Sequence, residues 1–225
     1  MEKTLLTVSG LAKSFGRDEA AVSVLANLTF DLPAGGSLAL MGRSGSGKST
    51  LLNMLCGLEP PDAGELTLFG QDHRHADWQR LRRGRIGVVF QEANLMPTLS
   101  LLDNVRLRAS LAGQPEAHCQ HWLDVLDIGD LAHRFPDQVS GGQRQRAALA
   151  MVFAMSPDLI LADEPTGSLD RVTADEVADS LFRLQADTGC ALILATHDAE
   201  LASRCQSTLD LAHRTTAQDA AVSKP

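Results

Sequence analysis

The sequence predicts an α/β fold: a mainly parallel sheet, with an N-terminal antiparallel β-subdomain and an inserted α-helical subdomain. Three observations predict it. The runs "IGVVFQ" (Ile86 to Gln91), "DLILADE" (Asp158 to Glu164) and "CALILATH" (Cys190 to His197) are short, apolar and end in polar residues. Strands buried on both faces of a parallel sheet read this way, with function at their C-terminal ends. The stretch before Ser37 instead alternates short apolar runs with turn residues, which reads as antiparallel β-structure. Between Gln91 and Ser140 the apolar residues recur at helical spacing, with no strong strand signal.

Taken in order, "LLTVSGL" and "VLANLTFDLPAGG" supply the β-rich N-terminal layer. "SLALM" (Ser37 to Met41) is a buried strand, and "TLLNMLCGL" (Thr50 to Leu58) buries one face of a helix. "SLLDNVRLRASLAG" (Ser100 to Gly113) and "HWLDVLDIGDLA" (His121 to Ala132) are the helical runs of the insert. "VSGGQRQR" (Val139 to Arg146) opens a further apolar helix, "AALAMVFAM" (Ala147 to Met155). One domain is expected, with its core in residues 1–91 and 141–213 and the helical subdomain in 92–140. The last residues, 214–225, carry few apolar anchors and are expected to fray. No segment repeats.

The 225 residues suffice for one sizeable α/β core. No apolar run approaches the ~20 residues of a membrane-spanning helix, and the first ten residues lack the apolar stretch and cleavage site of a secretory signal. A cytoplasmic location is therefore expected. Cys56, Cys119, Cys190 and Cys205 stand apart with no C-x-x-C pair, as suits reduced thiols. The net charge of −8 argues against duplex nucleic acid as the main partner. Arg80, Arg82, Arg83 and Arg85 form a basic run against that trend, read as a solvated helix or turn face, or else as a contact with a partner or anionic headgroups. His73 with His75, and His118 with Cys119 and His121, lack the four-ligand spacing of a zinc site.

The chemistry concentrates in "GRSGSGKST" (Gly42 to Thr50), a G-x-x-x-x-G-K-S spacing between strand and helix. Glycines let successive backbone N–H groups turn inward around an anion, and the following helix start adds its dipole. This is a phosphate cradle, and it makes the core a P-loop nucleotide-binding core. Gly42, Ser44, Gly45, Ser46, Gly47, Lys48, Ser49 and Thr50 are its candidate nucleotide contacts. Lys48 is expected on the β- and γ-phosphates and Ser49 on Mg²⁺. Asp163 and Glu164 end an apolar strand as a Walker B pair does, Asp163 for Mg²⁺ and Glu164 as the base facing the attacking water. A nucleotide or metabolite kinase would share the cradle.

"VSGGQ" forms a second anion site at a helix start, although the first cradle already accounts for one nucleotide. At this point the chain resembles the ATP-binding cassette (ABC) family, in which S-G-G-Q of one subunit caps the γ-phosphate held by the other. The resemblance spans nearly the whole chain and joins six motifs in family order. It implies that Ser140, Gly141, Gly142 and Gln143 contact nucleotide, that Gln91 is the Q-loop glutamine sensing Mg²⁺ and γ-phosphate, and that Asp170 of "SLD" (Ser168 to Asp170) belongs to the D-loop. It likewise makes His197 the switch histidine, with Glu164, His197 and Gln91 as the catalytic set, and puts Phe15 of "KSFG" where an aromatic stacks on adenine. ATP and Mg²⁺ are the implied ligands.

Two positions depart from the family pattern: Val139 stands where Leu is usual and Met151 where Arg is usual. "LADEPTGSLD" with a short C-terminus resembles the subfamily of lipoprotein release, macrolide export and cell-division signalling. That resemblance implies an ATP-hydrolysing subunit that dimerises on two Mg-ATP and drives integral membrane permease subunits from the inner face of the cell membrane. The alternative is a soluble ABC ATPase of nucleic-acid repair or translation, but neither the long coiled-coil interruption nor the second cassette of those proteins is found here. No nucleic-acid partner is expected.

Overall fold

The computed structural model describes residues 4–16 and 22–211; the tail expected at 214–225 lies outside them. The described residues divide into two compact units, residues 4–16, 22–78 and 194–211 in one and residues 79–193 in the other. The first unit opens with β1 (Thr4–Phe15), β2 (Val22–Pro33), β3 (Ser37–Met41), helix α1 (Lys48–Leu55), β4 (Ala63–Leu68) and β5 (Gln71–Asp72). Helix α2 (Trp78–Gly84) begins at the division, and the second unit continues with β6 (Ile86–Val89), α3 (Leu101–Leu111), α4 (Cys119–Val125), α5 (Gly141–Ala154), β7 (Leu159–Asp163) and α6 (Arg171–Thr188). β8 (Ala191–Thr196) runs back into the first unit, which closes with α7 (Ala199–Ala202) and β9 (Ser207–Asp210).

In the first unit an antiparallel sheet of order β2-β1-β4-β5 forms the expected N-terminal β-layer. Leu6 faces Leu32 on one neighbour and Leu68 on the other, and Val8 faces Leu66. All of these are buried, while Thr7 and Ser9 point outward. That alternation pins the register, since a one-residue slip would expose the whole apolar set. β3 pairs in parallel with β9, Leu40 opposite Leu209. Leu38, Ala39 and Leu40 are buried in succession, as in strands covered on both faces. α1 buries Leu51, Leu52, Met54 and Leu55 and exposes Asn53.

In the second unit β6 and β7 pair in parallel, Ile86 opposite Leu159 and Val89 opposite Ala162. Leu159 to Ala162 are wholly buried. α5 approaches β6 so closely that a Cβ on Gly87 would overlap Val152 Cγ1. Phe153 of α5 is fully buried and stacks on Trp122 of α4, ring centres 5.9 Å apart. The helical run expected over 121–132 ends early: α4 stops at Val125, Asp127 turns to φ +56°, and a 3₁₀ turn follows over Gly129–Leu131. Asp tolerates the left-handed region better than most residues, so "LDIGD" breaks the helix although its apolar spacing persists.

Candidate nucleotide site

The first unit builds the cradle. Gly47 is the N-cap of α1 with φ +93° and offers no side-chain cap to the helix. A Cβ there would lie 2.9 Å from both Leu25 Cδ2 and Val24 Cγ1, so glycine is required by backbone shape and by space alike. The start of α1 thus has no hydroxyl or carboxylate cap from its N-cap residue, the form of helix start that suits an anion. Lys48 is 8% exposed and bends back over the loop, its Nζ donating to the carbonyls of Gly42 at 2.8 Å and Arg43 at 3.4 Å. Ser46 Oγ is buried with no hydrogen-bond partner among the described residues. An ammonium and an orphaned hydroxyl beside uncapped amides fit a polyphosphate. Ser44, Gly45 and Ser49 are exposed and Thr50 is half-buried; the Ser49 hydroxyl is a hard oxygen donor of the kind Mg²⁺ takes.

Also in this unit, Phe15 at the end of β1 leaves 44% of its surface open, enough for a ring to stack on. The Lys13 ammonium lies 5.2 Å from the Phe15 ring centre. It reaches Glu59 Oε1 at 2.6 Å and Asp62 Oδ1 at 3.1 Å, and it donates to the Pro60 carbonyl at 2.8 Å. Asp62 in turn accepts the Ser14 N–H at 2.7 Å. Glu59 and Asp62 hold the Lys13 pKa above its usual value, and the Ser14 amide, then Lys13, hold the Asp62 carboxyl below its own. Nothing in the sequence marks Lys13 for this role; it lies two residues before Phe15 on β1, whose pairing with β2 shifts register between Lys13 and Ser14. His197 is exposed just past β8, and the next residue, Asp198, caps α7 by accepting the Glu200 and Leu201 amides.

The second unit brings a different set together. Asp163 closes β7 and is half-buried. Glu164 follows in the left-handed region at φ +46°, and its carbonyl accepts the Gly167 N–H at 3.0 Å. A side chain at positive φ is uncommon and costs of order 1 kcal/mol, so the turn after β7 aims Glu164 at some expense in strain. Gln91 is exposed two residues beyond β6, and its carbonyl accepts Ser168 Oγ at 3.1 Å. A Cβ on Gly167 would lie 3.2 Å from Gln91 Nε2. Ser140 is the N-cap of α5: its Oγ accepts the Gln143 N–H at 3.2 Å, and Gln143 Oε1 accepts the Ser140 N–H at 2.9 Å. That capping box leaves the Ser140 hydroxyl proton free to donate. Gly141 is half-buried; Gly142 is buried where a Cβ would overlap Thr173 Cγ2. Asp170 caps α6, accepting Thr173 N at 3.1 Å and Thr173 Oγ1 at 2.7 Å, bonds that hold its pKa low. Among the described residues no three His, Cys, Asp or Glu side chains gather as a metal cluster.

A strand-to-helix phosphate cradle and a carboxylate pair at the end of a second buried strand define a P-loop nucleoside triphosphatase. Residues 25–167 match the ABC transporter family. The chain is 41% identical over 216 residues to an uncharacterized ABC transporter ATP-binding protein, YbbA, of Escherichia coli K12, covering 93% of this chain and 95% of that protein. It is 38% identical over 214 residues to the lipoprotein-releasing system ATP-binding protein LolD 1 of Rhodopirellula baltica, covering 92% and 93%. A solved dimer of the ATP-binding cassette MJ0796 in a post-hydrolysis state with ADP and Pi superimposes with TM-score 0.83 at 30% identity, covering 92% of this chain and 94% of that one. This chain belongs to the ABC transporter family and is an ABC-type ATPase. The expected α/β P-loop fold and the resemblance to the lipoprotein-release group are thereby found.

Proposed function

We propose that the chain is the ATP-hydrolysing subunit of an ABC transporter, which dimerises around two Mg-ATP and drives conformational change in integral membrane permease subunits. Export, lipoprotein release or force transmission across the membrane is the output. The observation that carries this reading is that one chain has two helix starts suited to phosphate, the uncapped start of α1 and the Ser140–Gln143 start of α5. One nucleotide per chain accounts for both if the second serves the nucleotide of a partner copy. The lipoprotein-releasing relative and the dimeric cassette support it.

Within it, Lys48 leaves the loop carbonyls for the β- and γ-phosphates, where the Gly42–Thr50 amides complete the cradle. Phe15 stacks on adenine. Ser49 in the first unit, and Asp163 and Gln91 in the second, each offer an oxygen donor of the kind that would hold Mg²⁺, whose charge offsets that of the β- and γ-phosphates. Glu164 accepts the proton of the attacking water and His197 orients that water or the γ-phosphate. Ser140 donates its hydroxyl proton to the partner's γ-phosphate. Among the described residues no helix is long and apolar enough to cross a membrane, so membrane work is assigned to the permease partners, with this chain peripheral on the cytoplasmic face.

The test is Glu164→Gln. ATP binding persists, turnover falls ~10²–10⁴-fold because Gln cannot take the proton, and the variant elutes as a dimer on size exclusion in Mg-ATP. Unchanged steady-state turnover removes Glu164 from the role of base.

A further inference from the structure

The end of β6 poses a hydrogen-bonding question. The strand stops at Val89, so the carbonyls of Phe90 and Gln91 leave the parallel ladder and need donors elsewhere. Each finds a side chain from a different segment of the same unit. Phe90 O accepts Gln145 Nε2 at 2.8 Å, from the second turn of α5. Gln91 O accepts Ser168 Oγ at 3.1 Å, from the loop between Glu164 and Asp170.

Gln145 is 2% exposed on a helix whose other buried residues are nearly all Ala, Leu, Val and Phe. Burying a primary amide there costs desolvation that an apolar residue would avoid, and the bond to Phe90 O is what offsets it. Core filling alone therefore explains the position poorly. A tie that links the helix of Ser140–Gln143 to the backbone one residue before Gln91 explains it well. Ser168 adds a second tie, from the strained turn that carries Glu164.

We propose that Gln145, through its hydrogen bond to the Phe90 carbonyl, is a positioning residue that sets Gln91 for the hydrolytic step and couples it to the start of α5, with Ser168 as the second tie. The proposal rests on the ATPase reading above in one respect, the role given to Gln91. A shift of α5 pulls on Phe90 O directly, and a shift of the Glu164–Asp170 turn pulls on the adjacent Gln91 O. Three segments expected to contact nucleotide thus meet at two consecutive carbonyls. Neither Gln145 nor Ser168 needs to touch the nucleotide to influence turnover.

The experiment uses the full chain with Gln145→Met, which keeps length and removes the donor, and with Ser168→Ala and Ser168→Thr. Steady-state ATPase assays should show kcat reduced about tenfold in Gln145→Met with KM for Mg-ATP within about twofold, because the cradle is untouched. Ser168→Ala should show a smaller loss of the same kind, restored by Ser168→Thr, which keeps the hydroxyl. Hydrogen exchange of the nucleotide-free protein supplies the second readout: peptides covering 88–96 should exchange faster in Gln145→Met, and those covering 37–56 should not. Should buried Gln145→Met fail to fold, the exposed Ser168 pair still decides. Wild-type kcat in both Gln145→Met and Ser168→Ala overturns the proposal, as does exchange raised evenly over the whole chain. If the wild type itself fails to hydrolyse ATP, the ATPase reading fails, while the exchange pattern still confirms or refutes the tie.

Discussion

Lys13→Met tests the anchor beneath Phe15. Wild-type Lys13 is 6% exposed, and its ammonium pairs with Glu59 at 2.6 Å and Asp62 at 3.1 Å and also donates to the Pro60 carbonyl at 2.8 Å. Methionine keeps most of the buried stem and removes the charge. A fully buried charged hydrogen bond is worth ~1.5–3 kcal/mol, but the Glu59 and Asp62 side chains keep 32% and 48% of their surface, so solvent screens both pairs and rehydrates the carboxylates after the change. About 1 kcal/mol per carboxylate, at the upper end of exposed pairs, gives ~2 kcal/mol in all. For a chain of this size that lowers Tm by about 4–8 °C.

The pH dependence has a definite sign. Asp62 has a folded-state pKa below its unfolded value, so its contribution is present above about pH 4 and disappears as pH falls through the folded value. Lys13 has a raised pKa, so its contribution is present below about pH 10 and is lost as pH rises through the folded value. The Tm gap between wild type and Lys13→Met is therefore flat from about pH 5 to 9 and closes below pH 4. The ammonium over the Phe15 ring adds a ligand readout. Losing ~0.5–1 kcal/mol of cation–π contact, and with it the ring's fixed position, weakens ATP binding about 2–5-fold while leaving tripolyphosphate, which has no base, unaffected. Thermal melts across pH and titration with both ligands decide the matter. A Tm within 1 °C of wild type at pH 7, or equal loss for both ligands, refutes the reasoning.

Three further outcomes are expected. Lys48→Ala abolishes productive ATP binding, because it removes the point charge on the β- and γ-phosphates; wild-type affinity by calorimetry would count against the cradle. Glu164→Gly and Glu164→Ala both lose turnover, yet the glycine variant melts about 2–4 °C higher, since only glycine relieves φ +46°; an alanine variant of equal or greater stability shows that the turn is unstrained. Mixing Lys48→Ala subunits with Gly142→Asp subunits restores part of the ATPase activity if Ser140–Gln143 act on the partner's nucleotide, because one of the two interfaces is then intact; no recovery in a verified mixed dimer rejects the composite site.

How far the sequence could be read follows from the range of the interactions. β3 spans the residues expected for it, Ser37–Met41, and β7 and β8 lie within a residue of theirs, because strands covered on both faces are short continuous apolar runs. α6 is hard to read from sequence although it is 18 residues long: its buried stripe, Val177, Ala178, Leu181 and Leu184, is diluted by the charged residues between. Motif residues are legible because cradle and signature are local arrangements, Ser140 with Gln143 and Lys48 with Gly42. Lys13 and Gln145 are not, since their partners lie 49 and 55 positions away at Asp62 and Phe90. A buried Lys or Gln gives no sign in sequence of which distant carboxylate or carbonyl it will meet.

The same distance argument changes how a substitution at Gly142 is understood. From sequence, aspartate there acts by charge against a γ-phosphate. In the structure a Cβ at Gly142 would overlap Thr173 Cγ2, and the hydroxyl of that same Thr173 donates to Asp170 at 2.7 Å. Any side chain at Gly142 therefore pushes on the residue that orients the cap of α6, and Asp170 is disturbed along with the start of α5. Ser140 differs: it is exposed, its hydroxyl only caps its own helix, and losing such a cap costs ~1 kcal/mol without displacing a neighbour. Ser140→Ala thus removes the donor with Asp170 left in place, whereas Gly142→Asp removes the approach and moves Asp170 as well. If the two variants lower turnover equally, the signature acts through the Ser140 hydroxyl; if Gly142→Asp alone is severe, the close packing of α5 on α6 is what the glycine protects.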